Sequence, residues 1–208
     1  DEITLSMRVI TRTGSRRVAQ AAYELARQRK KHLTYVHKDT VFKLGCGMFV
    51  EECKKLAPEY PDVLVDDVIV DTMAMRLVRD PQSFDVIVTT NMFGDILSDL
   101  TAELSGSIGL GGSLNAGSEY AMGQAAHGSA PDIAGQDIAN PFSLVLSAAQ
   151  LLAWHGHRKG LPAFEDASRA IELACAQAVL AKEATRDIGG SLGTAATGKA
   201  IAARVLKP

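Results

Sequence analysis

Apolar positions in the first half of the chain follow two spacings, one typical of helices and one typical of buried strands. Val18, Ala22, Leu25 and Ala26 recur at helical spacing and predict the first helix. Short apolar or β-branched runs predict strands at 33–37, 68–71 and 84–90, and helical patterns between them predict helices at 47–57 and 72–78. Because strands alternate with helices, we expect an α/β sheet with functional sites at the carboxyl ends of its strands.

The second half of the chain begins with a glycine-rich stretch, between residues 106 and 135, that we interpret as mostly loop. Long loops in compact domains usually bind something. Asn140 and Pro141 then predict a helix start, with a side-chain acceptor at the N-cap and proline at the first helical position. The pattern predicts helices at 140–154, 163–182 and 194–205.

The segment Gly189-Gly190-Ser191-Leu192-Gly193 matches the G-x-S-x-G nucleophile elbow of hydrolases. That site needs an acid and a histidine after the serine, but the last histidine is His157 and the last acid is Asp187. We therefore interpret the segment as a flexible connection between two helices.

Composition and charge exclude several classes of protein. Hydrophobic residues make up 47% of the chain and charged residues 22%, which excludes disordered and low-complexity classes. With 22 basic and 24 acidic residues, the chain lacks the basic surplus of a nucleic-acid binder.

No metal-binding pattern is formed by the cysteines, so we expect reduced, mostly buried thiols at Cys46, Cys53 and Cys175. No apolar run could cross a membrane and the first residues do not resemble a signal peptide, so we expect a cytoplasmic protein.

Two aspartates, Asp95 and Asp99, lie four residues apart in what should be the first turns of a helix, just after a predicted strand. This spacing puts both carboxylates on one helix face, where like charges repel. A hard divalent cation such as Mg²⁺ would relieve that repulsion, and Asp71 could supply a third oxygen. Alternatively, the acids complement the helix dipole, which explains Asp95 but gives Asp99 no benefit. Both interpretations stay open on spacing alone.

The segment 127–135, followed by Asn140, is the second candidate site. Its small residues permit close backbone approach, the His127 ring offers a stacking surface, and Asp132 offers a bidentate acceptor for a ribose diol. A polar loop before a capped helix explains the same residues without a ligand. The preceding glycines, at 106–112, do not fit G-x-G-x-x-G and follow no strand directly, so a Rossmann-type site is not supported.

Four segments together resemble the isocitrate and isopropylmalate dehydrogenase family of decarboxylating 2-hydroxyacid dehydrogenases. They are Val36-His37-Lys38, Val70-Asp71, Asn91-Met92-Phe93-Gly94-Asp95-Ile96-Leu97-Ser98-Asp99 and His127-Gly128-Ser129-Ala130-Pro131-Asp132-Ile133-Ala134-Gly135, in the family's order. The resemblance implies the family's two-domain α/β fold, which is not a Rossmann fold, with the N-terminal part of the large domain missing. Residues 1–105 would form the small domain with the dimer contacts. Residues 106–208 would form the C-terminal half of the large domain with the cofactor loop.

The resemblance also implies an active site shared by the two subunits of a homodimer. Asp95 and Asp99 of one subunit and Asp71 of its neighbour would bind Mg²⁺ or Mn²⁺, which polarises a 3-substituted malate such as isopropylmalate or isocitrate. Lys38, from the same neighbour as Asp71, would take the hydroxyl proton, so Lys38 and Asp71 form the implied catalytic pair. We expect this portion of the family's chain to be inactive by itself.

By the same resemblance, the adenosine of the cofactor lies against the loop that begins at His127. The implied cofactor-binding residues are His127, Gly128, Ser129, Ala130, Asp132, Ile133 and Asn140. Asp132 would bind the ribose hydroxyls and would repel a 2′-phosphate, which favours NAD over NADP. Asn140 would lie near the adenine.

Three departures and one alternative accompany this prediction. Thr40 stands where the family usually has Asn near the nicotinamide, Asp39 replaces a small residue, and Gln124 stands where many members have Glu. The alternative is a non-catalytic regulatory subunit, which would have no chemical reason to keep Lys38 and the three aspartates together. The substrate stays open, because residues 7–12 resemble isocitrate-type members and residues 131–133 resemble isopropylmalate and tartrate types.

Overall fold

The computed structural model describes residues 2–206 of the chain. The chain divides into two compact units, Asp1–Thr101 and Ala102–Pro208. The sequence places the domain boundary nearby, between residues 105 and 106. No helix within residues 2–206 is both long enough and apolar enough to cross a membrane.

The first unit is a parallel three-stranded sheet with helices on both faces. Its elements, in chain order, are α1 (Arg12–Gln28), β1 (His32–His37), α2 (Lys43–Leu56), β2 (Leu64–Ile69), α3 (Val70–Arg79), β3 (Val86–Thr89) and α4 (Asn91–Leu104). The strand order is β2-β1-β3, and β1 pairs in parallel with both neighbours. The α/β class that the alternating pattern predicts is confirmed.

The central strand β1 is buried on both sides because its side chains alternate between two cores. Leu33 and Tyr35 pack with residues of α1 and α2, whereas Val36 packs with Met73 of α3 and Leu97 of α4. Since helices cover both faces, the loops at the strand ends are the accessible part of the sheet.

Helix α1 turns a different face to the core than its large apolar residues suggest. Val18 and Leu25 are 42% and 47% exposed, whereas Ala19 and Tyr23 are fully buried. The small residues let the helix approach its neighbours closely, and the Tyr23 hydroxyl donates to the carbonyl of Cys53 at 3.1 Å. The predicted helix is confirmed, but the two large residues that helped to identify it lie outside the core.

Strand β2 begins and ends earlier than the apolar run at 68–71 predicts. It spans Leu64–Ile69, so Asp71 lies in the first turn of α3 rather than at the end of a strand. As an edge strand it carries polar side chains, and the Asp66 carboxylate contacts the His32 ring of β1 at 2.8 Å. Polar residues break the apolar pattern, which is why the sequence gives the wrong bounds.

The second unit combines an antiparallel hairpin with three long helices. Its main elements are β4 (Gly112–Ala116), β5 (Ala121–Ala125), α5 (Phe142–Lys159), α6 (Pro162–Leu180) and α7 (Thr194–Val205). Phe142 of α5, Cys175 of α6 and Ile201 of α7 share one core. The three predicted helices are present, and α7 has the predicted bounds. Helix α5 begins at Phe142 with Pro141, not Asn140, at its N-cap, and it ends at Lys159 rather than near residue 154.

The hairpin lies inside the stretch that the sequence predicts as loop, and that prediction is wrong for β4 and β5. Gly123 of β5 lies against α5, where an added Cβ would be 2.7 Å from the carbonyl oxygen of Ser147. The Ser147 hydroxyl donates to the carbonyl of Gln124 at 2.6 Å. Glycine here permits a strand to touch helix backbone and is not a sign of a loop.

The connection between α6 and α7 is closely packed, so the prediction of a flexible connection is wrong. A Cβ on Gly190 would lie 1.9 Å from the carbonyl oxygen of Ala184. The backbone N–H of Gly190 donates to the carbonyl of Thr185 at 3.0 Å. The glycines allow the chain to fold back against itself at this point.

The three cysteines are free and buried, as the sequence predicts. Burial raises the pKa of Cys53 to about 12 and the pKa of Cys175 to about 11. Both thiols therefore stay protonated at neutral pH, where they behave as small apolar side chains.

Candidate active site

Lys38 and Asp71 lie together at the carboxyl ends of the adjacent strands β1 and β2. Lys38 directly follows β1, and Asp71 lies in the first turn of α3, which follows β2. The Lys38 Nζ donates to Asp71 Oδ1 at 2.6 Å. This hydrogen bond is the main reason that the pKa of Asp71 lies below its ordinary value. The pair joins an amine and a carboxylate where α/β sheets commonly bind substrates.

The buried His37 ring connects the groups around Lys38. Its Nε2 contacts the Asp67 carboxylate, and its Nδ1 accepts a hydrogen bond from the backbone N–H of Asp39 at 3.2 Å. Lys54 Nζ lies 3.2 Å from the other oxygen of Asp67. The sequence prediction assigns no role to His37 or Asp67, although both hold the turn that carries Lys38.

Helix α4 carries Asp95 and Asp99 on an exposed face, one turn apart. Phe93 and Leu97 of the same helix point into the core, at 5% and 3% exposure. The helix that the sequence predicts here is present. It buries the face that carries Phe93 and Leu97, so both carboxylates on the other face are accessible to solvent.

One copy of the chain does not gather the three aspartates predicted to bind a metal. Among residues 2–206, no three His, Cys, Asp or Glu side chains lie close enough together to hold a metal ion. Carboxylate oxygens are nevertheless the ligands that Mg²⁺ and Mn²⁺ prefer. The donor chemistry of Asp71, Asp95 and Asp99 therefore fits such a cation.

The loop that begins at His127 is exposed over most of its length. Ala130 has φ +42°, in the left-handed region, and Pro131–Ile133 form a single 3₁₀ turn. His127 Nδ1 lies 2.9 Å from the carbonyl oxygen of Gly128. The loop thus presents the exposed Asp132 carboxylate on a short turn.

Asn140, at the end of this loop, is held by hydrogen bonds at both ends of its amide. Its Nδ2 donates to Asp187 Oδ2 at 2.7 Å, and its Oδ1 accepts from the backbone N–H of Phe142 at 2.9 Å. Desolvation alone would raise the pKa of Asp187, but hydrogen bonds from Ser107, Thr185 and Asn140 outweigh it and hold that pKa below its ordinary value. The sequence prediction did not include Asp187.

Comparison with known proteins finds a family whose sequence model matches almost the whole chain. A sequence model described as isocitrate/isopropylmalate dehydrogenase matches residues 1–203. The chain belongs to this family. The resemblance drawn from the four sequence segments is therefore confirmed, and so is the family's α/β fold.

Individual members of the family are similar over most of this chain. It is 43% identical over 194 residues to 3-isopropylmalate dehydrogenase of Archaeoglobus fulgidus, which covers 93% of the chain and 57% of that protein. It is 46% identical over 152 residues to isocitrate dehydrogenase (NADP) of Rickettsia bellii, which covers 73% of the chain and 32% of that protein. The crystal structure of isocitrate dehydrogenase from Methylococcus capsulatus matches with a TM-score of 0.86 at 42% identity, over 97% of this chain and 58% of that one. The chain thus spans less than two thirds of the length of these relatives.

Proposed function

We propose that the protein containing this chain catalyses the oxidative decarboxylation of a 3-substituted malate, of the isopropylmalate or isocitrate type, with NAD and a divalent metal. The observation that carries the proposal is the contact between Lys38 and Asp71, at 2.6 Å, beside the carboxyl ends of two parallel strands. Family membership supports the same class of reaction.

Lys38 is the proposed general base. As a neutral amine, its Nζ would accept the proton of the substrate's 2-hydroxyl as the hydrogen on C2 passes to NAD as hydride. Asp71 orients the amine through the observed hydrogen bond. His37 and Asp67 fix the turn from which Lys38 projects, because the His37 ring contacts both Asp67 and the backbone of Asp39.

Asp71, Asp95 and Asp99 are the proposed ligands of Mg²⁺ or Mn²⁺. When bound, the cation supplies positive charge that acidifies the substrate hydroxyl. Asp95 and Asp99 would come from one copy and Asp71 from its partner. Family membership supports this division. The active site would then lie at a homodimer interface.

The loop that begins at His127 is the proposed NAD site. Its proposed contacts are His127, Gly128, Ser129, Ala130, Asp132, Ile133 and Asn140. Asp132 is exposed and would accept both ribose hydroxyls. A 2′-phosphate beside this carboxylate would cost on the order of 1–4 kcal/mol, so we expect NAD to be preferred over NADP.

We also infer that the protein works in a reducing compartment, the cytoplasm. Its three cysteines are free and buried. Such thiols persist where disulfides are rare.

The test is an assay of the full-length protein with isopropylmalate or isocitrate, Mg²⁺ and NAD, followed by the absorbance of the reduced cofactor. Lys38→Met should lower kcat by at least roughly a hundredfold, because it removes the general base. Lys30→Met, which removes an exposed lysine of the same unit, should leave kcat unchanged.

Two results would contradict the proposal. A higher kcat/KM with NADP than with NAD would overturn the cofactor preference. A folded wild-type protein that turns over no malate-type acid would overturn the enzymatic role and favour the regulatory subunit.

A further inference from the structure

A single carboxylate, that of Asp187, joins three segments of the second unit. Its Oδ2 accepts hydrogen bonds from the Ser107 hydroxyl at 2.6 Å and from Asn140 Nδ2 at 2.7 Å. Its Oδ1 accepts from the Thr185 hydroxyl at 2.6 Å. Three donors around an ionised carboxylate form charge-assisted hydrogen bonds, which are stronger than those between neutral groups.

These contacts determine which way the Asn140 amide points. In the observed orientation, Nδ2 donates to Asp187 and Oδ1 accepts from the N–H of Phe142. A flipped amide would place its oxygen against the carboxylate and its NH₂ against an N–H, so both contacts would become repulsive. Gly109 leaves the space for this side chain, since a Cβ there would lie 2.7 Å from Asn140 Nδ2.

The fixed amide keeps capacity for one more ligand contact of each kind. An asparagine side chain has two N–H donors and two carbonyl lone pairs, and one of each is used here. The pair that remains is the pattern that recognises adenine, whose N6 donates and whose N7 accepts. The orientation of the Asn140 amide therefore decides whether its free N–H faces adenine N7 and its oxygen faces the N6 amino group.

A second carboxylate, Asp137, fixes the same end of the loop to the start of α7. The backbone N–H of Ala195 donates to Asp137 Oδ1 at 2.8 Å, and that of Thr194 donates to the Asp137 carbonyl at 3.0 Å. Gly193 permits this approach, because a Cβ there would lie 2.7 Å from the same carbonyl oxygen. The segment that resembles a hydrolase elbow thus anchors the loop.

The beginning of the loop is joined to α5 just before His127, where the backbone N–H of Ala126 donates to the Ser143 hydroxyl at 2.9 Å. The His127 ring lies 2.9 Å from the carbonyl oxygen of Gly128. A Cβ added to Gly128 or to Gly135 would meet nothing within 4 Å. The loop is therefore held near both ends, and both of these glycines border open space.

We propose that Asp187 is a positioning residue for the nucleotide, acting through Asn140, whose amide it holds in the orientation that adenine requires. This inference rests on the proposed NAD site. It assigns a role to a residue outside the predicted loop, 47 positions after Asn140 in the sequence.

A double-mutant cycle on the full-length protein tests this role, with NAD affinity measured by isothermal titration calorimetry. Asp187→Ala should weaken NAD binding on the order of tenfold, the effect of losing a hydrogen bond to a charged group. In an Asn140→Ala background the same substitution should have almost no further effect, because the residue through which it acts is gone. Asp166→Ala, an exposed carboxylate of α6, is the matched control and should leave the affinity unchanged.

Urea unfolding of each variant separates this role from a general loss of stability. If Asp187→Ala does not fold, Asp187→Asn keeps the shape of the side chain but can no longer accept at both oxygens, and the same cycle is run with it. Equal losses of affinity in both backgrounds, or no loss at all, would overturn the inference while the NAD site stands. A folded wild-type protein that does not bind NAD would overturn the proposed site itself, and this inference with it.

Discussion

At the residue scale, the contact between Lys38 and Asp71 favours the ionised form of Asp71 by lowering the pKa of its carboxyl. The ammonium donates to the carboxylate at 2.6 Å and lowers its pKa. A carboxyl whose pKa is lower in the folded state stabilises the fold above its unfolded pKa, and this gain is lost as pH falls through the folded pKa. The Asp71 side chain is 66% exposed, so solvent screens the ion pair and the gain in folding stability is small.

The shift itself can be measured. Lys38→Met removes the donor, so the pKa of Asp71 should rise towards its ordinary value, as followed by a pH titration of its carboxyl carbon by NMR. Lys30→Met is the control and should leave that pKa where it is. An Asp71 pKa that does not move in Lys38→Met would show that the two side chains are not in contact in solution.

The residues that hold the site show the limit of sequence reasoning at this scale. Lys38 and Asp71 could be paired because the resemblance implied them together, and the structure brings them into contact. The partners of Asp187 could not be predicted in this way, because its contact with Ser107 joins positions 80 apart in the chain. No spacing rule links residues that only tertiary folding brings together.

At the element scale, prediction succeeded where side-chain periodicity decides the structure. Helix α7 has the predicted bounds because its pattern is uninterrupted, and β1 is a buried run of apolar and β-branched residues. The hairpin of β4 and β5 was missed because its glycines read as loop. Their role, close contact with α5, depends on a neighbour that the local sequence does not reveal.

Replacing a glycine by alanine should therefore lower the free energy of unfolding in the hairpin and raise it in helix α7. Gly123→Ala places a Cβ 2.7 Å from the Ser147 carbonyl and should destabilise the second unit by about 1–3 kcal/mol. Gly198→Ala lies in α7, where a Cβ meets nothing within 4 Å, and should stabilise it by roughly 0.5–1 kcal/mol. Urea unfolding of both variants and of the wild type measures these changes in the free energy of unfolding. Equal stability of the two would contradict the contact between β5 and α5.

At the scale of the whole molecule, the proposed active site needs two copies of the chain. Asp95 and Asp99 lie on an exposed face of α4, while Asp71 is paired with Lys38. No group of three potential ligands forms within residues 2–206 of one copy. Hydrophobic patterning predicts which residues of one chain are buried, but it does not predict a site formed by two copies. The division of the metal ligands between copies was predicted from the family resemblance instead.

Complementation between two inactive variants tests the shared site most directly. Lys38→Met and Asp95→Asn each impair one side of the site, so each full-length variant should be inactive alone. If the two are unfolded and refolded together, half of the dimers contain one of each, and every mixed dimer keeps one intact site of two. Roughly a quarter of wild-type activity should therefore return if the site is shared. A mixture that stays inactive, although mixed dimers have formed, would contradict it.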